Sequence, residues 1–113
     1  MSENCIFCKI AAGDIPSACI YDDADFKVIL DKFPSTPGHA LIIPKKHAEN
    51  LYDLDAETAA KIFPLAQKIA SGLRKALRPD GINILQNNGE AAGQSVMHLH
   101  VHVIPRFKND ATK

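Results

Sequence analysis

Three histidines occupy every second position near the C-terminal end of the chain. His98, His100 and His102 lie in the stretch QSVMHLHVHVIPRF. Side chains two residues apart in a strand project from the same face of the sheet. The sequence therefore predicts a strand that carries three imidazoles on one face and aliphatic side chains on the other. Burying an imidazole without partners costs roughly 1–3 kcal/mol for each unsatisfied group, so a purely structural origin is disfavoured.

Metal binding is the first chemistry that these histidines could perform. At ~3.3 Å per residue, His98 and His102 are ~13 Å apart along a strand, too far for all three histidines to share one tetrahedral zinc. The chain has three cysteines, and Cys5 and Cys8 have the Cys-x-x-Cys spacing of a zinc half-site. His47, which follows a predicted strand, is a candidate partner. The spacing leaves open which histidines would join the cysteines, and whether the cysteines are only small apolar residues of a short helix.

Nucleophilic attack on phosphorus is the second chemistry. A neutral imidazole is a good nucleophile once its other nitrogen is held by an acceptor. The loop NNGEAAGQS precedes the histidines. It offers amide and hydroxyl groups for phosphoryl oxygens, and its glycines allow backbone N–H groups to approach a phosphate. The polar candidates in this loop are Asn87, Gln94 and Ser95.

The rest of the pattern predicts the elements that must position these residues. A short helix is expected within 5–16, strands at 19–21, 26–30, 39–43, 82–86 and 96–104, and a long helix at about 55–77. Asp53 and Asp55 are the N-cap candidates of the long helix, and Pro64 within that helix predicts a kink or a late helix start. Hairpin-joined strands with one long, separate helix indicate an α+β fold with an antiparallel sheet.

Composition limits the class of protein. A chain of 113 residues with 46% hydrophobic content predicts one domain spanning residues 1–113. Thirteen basic and thirteen acidic residues argue against a nucleic-acid polymer as partner, so a phosphate-bearing ligand should be small. No apolar run approaches the ~20 residues that span a bilayer, and the start MSENCIFCKI lacks a secretory leader. We therefore expect a cytoplasmic protein with no membrane partner.

Several motifs together resemble the Hint branch of the histidine triad (HIT) superfamily. HLHVHVI matches the His-x-His-x-His-x-x pattern with apolar residues at x. CIFCKI, ILDKFPSTPGHALIIPKKH and NNGEAAGQSVMHLHVHVIPR are similar to other blocks of that branch, in the same order, and the likeness covers nearly the whole chain. The resemblance implies a five-stranded antiparallel sheet with one long and one short helix. It also implies a homodimer with a continuous ten-stranded sheet.

The resemblance also implies an activity. Members cleave purine nucleoside phosphoramidates, of the AMP or GMP type, at the α-phosphate through a nucleotidyl-histidine intermediate. His100 matches the nucleophile, and His39, His98 and His102 match the other catalytic histidines. Asp31 matches the residue that holds the ribose. The remaining substrate positions implied are Asn87, Gln94, Ser95 and His102 around the α-phosphate, and Ile6, Phe7 and Ile29 around the base.

Members that keep both N-terminal cysteines bind a structural zinc, here implied for Cys5, Cys8, His47 and His98, and no organic cofactor is expected. Two positions depart from the family pattern: Lys32 near the ribose and Met97 beside the triad. Two alternatives stay open. One is a dinucleoside polyphosphate hydrolase, and the other is a zinc-stabilised nucleotide-binding protein that acts by interaction with little turnover.

Overall fold

A single antiparallel sheet carries both helices of the chain. The computed structural model describes residues 4–110. Its strands follow the order β1-β2-β3-β5-β4, and every neighbouring pair is antiparallel. The elements are α1 Ile6–Ala11, β1 Cys19–Asp22, β2 Phe26–Leu30, β3 Ala40–Pro44, α2 Ala56–Leu77, β4 Gly81–Leu85, a 3-10 turn Glu90–Ala92 and β5 Val101–Arg106. The predicted α+β fold, with five strands, one long helix and one short helix, is confirmed. Among residues 4–110, no helix combines the length and apolar character needed to cross a membrane.

The two helices cover opposite faces of the sheet. In β3, Ala40 and Ile42 pack on the side of α2, while Leu41 and Ile43 pack on the side of α1. Because both faces are covered, all of β3 is buried and its sequence is a continuous apolar run. The residues of chemical interest lie on the α1 face.

Helix α2 begins where its N-cap predicts. The carboxylate of Asp55 accepts the backbone N–H of Thr58 at 2.9 Å, as an N-cap does. Asp53, the other candidate, instead accepts backbone N–H groups from the preceding loop. Helix α2 also runs through Pro64 from its start at Ala56, so of the two effects expected of Pro64 the late start is wrong, and the kink stays a prediction. Ala60, whose carbonyl has no N–H donor at Pro64, is an exposed residue, so water can reach the freed group.

The last strand, β5, begins later in the chain than predicted. It begins at Val101, whereas the alternating pattern predicts a strand over 96–104. The backbone just before it has other partners: the N–H of Leu99 donates to the carbonyl of Ala48 at 2.7 Å, and the carbonyl of His98 accepts from the ring of His100. His98 and His100 therefore lie in an irregular segment outside the strand.

Strand β5 continues through Pro105 to Arg106, whereas the predicted strand ended at Ile104. Pro105 pairs with Ile82 of β4, while the ladder with β3 already ends at Val103. Pro105 therefore needs no backbone donor on the β3 side, where its carbonyl accepts the Thr36 hydroxyl at 2.5 Å.

Candidate functional site

Four metal-ligating side chains meet at the N-terminal end of α1. Cys5 is the N-cap of α1, and Cys8 lies in its first turn. His47 comes from the loop after β3, and His98 from the irregular segment before β5. Their four candidate ligand atoms all lie within 4.8 Å of one another. Three distant parts of the chain thus converge on one point.

The distances within this cluster fit a tetrahedral zinc. The Nδ1 atom of His98 lies 3.2 Å from the Sγ atom of Cys5 and 3.1 Å from Nδ1 of His47. The Sγ atom of Cys8 lies 3.2 Å from Nδ1 of His47. Around a tetrahedral zinc with bonds of about 2.0–2.3 Å, neighbouring ligand atoms are about 3.3–3.8 Å apart. Small outward shifts of the four side chains therefore accommodate the ion.

The tautomer of His98 also suits a metal. Its Nε2 atom donates to the carbonyl of Pro44 at 2.8 Å, and a carbonyl can only accept. The proton of the neutral ring is therefore on Nε2, and Nδ1 points a lone pair at the other three ligands. A backbone carbonyl on the second nitrogen is the usual support for a zinc-bound histidine.

His100 lies next to this cluster with its own tautomer fixed. Its Nδ1 atom donates to the backbone carbonyl of His98 at 2.8 Å, so Nε2 keeps the lone pair. The ring is buried and meets the Phe7 ring edge-on at 5.0 Å between centroids. Burial lowers the pKa of His100 below its ordinary value, which keeps the ring neutral at physiological pH. A neutral imidazole with a free Nε2 is a nucleophile.

A chain of hydrogen bonds sets the tautomer of His102. The backbone N–H of Ser35 donates to Nδ1 of His39 at 3.0 Å, so the proton of His39 is on Nε2. That Nε2 donates to Nδ1 of His102 at 2.9 Å. His102 consequently carries its proton on Nε2. The rings of His100 and His102 are 4.9 Å apart, so a nucleophile and a hydrogen-bond donor stand side by side.

Asp31 completes this second cluster. Its Oδ2 atom lies 3.6 Å from Nε2 of His39, and its Oδ1 atom accepts the backbone N–H of Phe33 at 3.0 Å. The ligand atoms of Asp31, His39 and His102 are also close enough together for a metal ion. However, the Ser35 contact leaves a proton, not a lone pair, on the His39 nitrogen that faces the cluster. His39 and His102 are therefore joined by a hydrogen bond with the Asp31 carboxylate beside them, and the three side chains do not form a second metal centre.

Gln94 organises the loop before the triad. Its amide oxygen accepts the backbone N–H of Gly89 at 2.8 Å. Its amide nitrogen donates to the carbonyls of Glu49 at 2.6 Å and Val96 at 3.0 Å. The side chain is 2% exposed. Its amide thus holds the loop together from inside, and the predicted contact of Gln94 with phosphate has no free amide proton to use.

The other loop candidates have different surroundings. Asn87 reaches across the loop, and its Nδ2 donates to the carbonyl of Gly93 at 3.3 Å. Ser95 is exposed and lines an open pocket of about 490 Å³ together with Cys5, Ile6 and other residues. Both polar side chains therefore lie near the surface of the loop.

The predicted base-binding residues divide into two groups. Phe7 and Ile29 are buried in one apolar cluster under α1, whereas Ile6 is 48% exposed at the rim. The two positions that depart from the family pattern, Lys32 and Met97, are both exposed.

Two residues of the site were missed in the sequence. Ser35 fixes His39 through its backbone N–H, and Pro44 fixes His98 through its backbone carbonyl. Every residue has such backbone groups, so residue type gave no signal for either. Only the position of each residue beside a histidine identifies it.

Comparisons with known proteins agree with this geometry. The HIT domain family model matches residues 12–109. "Adenosine 5'-monophosphoramidase hnt1" of Schizosaccharomyces pombe is 46% identical over 103 residues, covering 91% of this chain and 74% of that protein.

Two solved structures are also similar. A HIT family protein from Bacillus subtilis superposes with a TM-score of 0.94 at 51% identity, covering 98% of this chain and 79% of that one. A zinc-bound histidine triad family protein from Mycobacterium smegmatis gives a TM-score of 0.91 at 45% identity, covering 97% and 80% of the two chains. The chain, with its His-x-His-x-His segment beside a Cys-x-x-Cys cluster, belongs to the HIT family.

Proposed function

We propose that the chain hydrolyses purine nucleoside phosphoramidates, of the AMP or GMP type, through a nucleotidyl-histidine intermediate. The observation that carries this proposal is the contact between Nδ1 of His100 and the carbonyl of His98 at 2.8 Å, which leaves Nε2 free to attack. The fission-yeast relative named as an adenosine 5'-monophosphoramidase supports the substrate class. The reaction would take place in the cytoplasm.

The first step forms a bond between Nε2 of His100 and the α-phosphorus. The phosphorus–nitrogen bond of the substrate breaks, and the leaving nitrogen takes one proton from solvent, so that it departs as a neutral amine. His100 then carries a positive charge, and the His98 carbonyl stabilises it by accepting from Nδ1. The Nε2–H group of His102 donates to a phosphoryl oxygen, where negative charge develops.

The second step returns His100 to its starting state. Water attacks the α-phosphorus, the bond to Nε2 breaks, and a nucleoside monophosphate is released, while one proton of the water returns to solvent and balances the proton taken up in the first step. His39 acts through His102 because its Nε2–H keeps Nδ1 of His102 as an acceptor. His39 is therefore a positioning residue in this scheme.

The remaining residues bind substrate or support the site. Asp31 accepts hydrogen bonds from the ribose hydroxyls, and its carboxylate lies beside the histidine chain. Phe7 and Ile29 provide the apolar wall for the base, with Ile6 at its rim. Ser95 and Asn87 donate to the phosphate, while Gln94 holds their loop in shape.

Zinc belongs to the same proposal as a structural ion. Cys5, Cys8, His47 and His98 would hold it, and the zinc-bound HIT structure from Mycobacterium smegmatis supports that choice of metal. When bound, zinc supplies a cross-link between α1, the loop after β3 and the segment before β5.

Rapid quenching with a radiolabelled adenosine phosphoramidate tests the nucleophile. Wild-type protein should yield a labelled nucleotidyl adduct, and His100→Ala should yield none and lose several orders of magnitude in turnover. His102→Ala should keep the adduct but react about 10²-fold more slowly, as expected for loss of one charge-stabilising donor. An unchanged adduct on His100→Ala would mean that another residue attacks the phosphorus.

A substrate panel separates this activity from its alternatives. Adenosine and guanosine phosphoramidates should be cleaved faster than a diadenosine polyphosphate at equal concentration. Faster cleavage of the polyphosphate would favour a dinucleoside polyphosphate hydrolase. Binding of AMP with no product from any substrate would favour a nucleotide-binding protein.

A further inference from the structure

His98 takes part in two centres at once. Its ring nitrogen Nδ1 faces Cys5, Cys8 and His47 in the metal cluster. Its backbone carbonyl accepts the proton on Nδ1 of His100. One residue therefore connects the metal ligands to the atom that sets the tautomer of the proposed nucleophile.

The metal cluster is one of several contacts that position this carbonyl. Residues 96–100 lie outside the strand ladder, because β5 begins only at Val101. The segment is tied by the carbonyl of Val96 to Gln94, by the ring of His98 to Pro44 and by the N–H of Leu99 to Ala48. In the metal cluster, the Nδ1 atoms of His47 and His98 are 3.1 Å apart. A zinc shared by these two nitrogens would add a further tie on the His98 side of the segment.

We propose that zinc in the Cys5, Cys8, His47 and His98 cluster positions the nucleophile, by fixing the His98 carbonyl that keeps the proton of His100 on Nδ1. The inference rests on the proposed function, since it assigns zinc a part in the reaction in addition to its structural one. Loss of zinc removes the tie on Nδ1 of His98 and leaves the Nε2 contact with Pro44, so the carbonyl of His98 can shift and His100 can place its proton on Nε2. A ring protonated on Nε2 has no lone pair there for attack.

One side of the metal cluster borders a pocket. Cys5 and His47 line this pocket of about 490 Å³, which also includes Glu49, Ser95 and Met97. A small chelator can therefore approach the cluster beside His47, the one ligand of the four that is partly exposed. Zinc removal and return can be performed on the purified protein.

Two measurements at one fixed pH test the inference. The first is ¹⁵N NMR of histidine-labelled protein, with the His100 signals assigned by His100→Ala. Zinc-loaded protein should show a single tautomer with the proton on Nδ1, and zinc-free protein a mixture. The second is the single-turnover rate of adduct formation, expressed per folded molecule. That rate should fall at least tenfold without zinc, while AMP affinity changes less than twofold, and added zinc should restore it.

Two variants make the test specific. His47→Ala removes a metal ligand that does not touch His100, so it should reproduce the zinc-free spectrum and rate, with no rescue by added zinc. Leu65→Ala removes a buried side chain on the α2 face of the sheet and serves as the control for lost stability. Its rate per folded molecule and its His100 tautomer should match those of wild type.

The outcomes distinguish the positioning role of zinc from the proposed role of His100 as nucleophile. An unchanged His100 tautomer after zinc removal overturns the inference, whatever the rate does. A zinc-loaded protein with the expected tautomer but no adduct overturns the proposed nucleophile and leaves the positioning by zinc supported. If the zinc-free chain unfolds, the variant Cys8→Asp replaces it in the test. Its zinc site is weaker, so the zinc concentration sets the fraction of chains that hold zinc. The rate and tautomer must then follow zinc occupancy, and a rate that follows the folded fraction alone overturns the inference.

Discussion

His102 is kept neutral by the same surroundings that orient it. Burial, with the neighbouring rings of His100 and His39, lowers the pKa of His102 to about 4. A donor that stays neutral above that pH can face a phosphate without losing its tautomer. The pairing of a free Nε2 on His100 with an Nε2–H on His102 is therefore maintained across the physiological range.

The depressed pKa makes stability depend on pH. In the unfolded chain a histidine titrates near its ordinary value of about 6.5, so below that pH the unfolded state binds more protons than the folded state. Stability is therefore fully present above about pH 6.5 and is lost as the pH falls towards 4. The difference amounts to at most about 3 kcal/mol from His102. His102→Gln should flatten this part of the pH dependence.

Urea unfolding of both proteins at pH 7 and pH 4.5 measures the effect. A chelator in every sample removes the separate contribution of zinc release at low pH. Parallel pH dependences of wild type and His102→Gln would contradict the assigned pKa.

Packing between elements depends on one glycine. Gly38 precedes β3 with φ of +86°, and a Cβ atom there would collide with Leu77 at the end of α2 and crowd Pro105 of β5, 3.3 Å away. Gly13 has a nearly identical φ of +84° but open space around it. The two glycines therefore share one backbone requirement and differ in the space around them.

This pair separates backbone strain from crowding. Gly13→Ala and Gly38→Ala should each lose about 1–2 kcal/mol from the left-handed backbone. Gly38→Ala should lose roughly 1 kcal/mol more, because Leu77 is partly exposed and can move away but Pro105 cannot. Urea unfolding free energies of the two variants measure the difference. Equal losses would show that neither Leu77 nor Pro105 crowds a methyl group at position 38.

At the scale of the whole molecule, zinc should contribute to folding. Protein purified without chelator should contain about one zinc per chain, and Cys8→Ser should lose the metal and several degrees of thermal stability. Cys19→Ser, at the exposed cysteine outside the cluster, is the matched control and should keep both. Metal analysis and thermal unfolding measure the two properties. A metal-free wild type would rule out the zinc site.

The edge of the sheet is where a second copy should bind. β4 is an edge strand, and Ile84 on it is 39% exposed beside Phe63 of α2, which is 71% exposed. Leu85, the next residue, projects from the opposite face and is 44% exposed. A homodimer that pairs two β4 strands would cover these side chains and extend the sheet to the ten strands implied by the family. Light scattering at micromolar concentration should give twice the chain mass.

Charge placed on that surface should separate the copies. Ile84→Lys and Phe63→Lys should reduce the mass to that of one chain, because burying an unpaired ammonium in an apolar contact is costly. Phe33→Lys changes an equally large exposed side chain outside α2 and β4, and should leave the dimer intact. A single-chain mass for wild type would exclude the homodimer.

Short-range patterns were enough to predict much of the fold. The alternation and turn residues of 19–30 gave the hairpin, with β2 at its predicted bounds, and Asp55 marked the start of α2. Such signals are local, because a strand repeats every two residues and a helix every 3.6. The family pattern then named the histidines and cysteines that the structure brings together.

The tertiary structure decided how those side chains are held. His47 and His98 are 51 residues apart in the chain, and no local pattern measures the distance between their rings. The start of β5 after His100, and not before His98, also depends on partners far away in sequence. Above all, the tautomers of His98 and His39 are set by the backbone groups of Pro44 and Ser35. Backbone groups are the same in every residue, so only the folded chain determines which histidine nitrogen carries the proton.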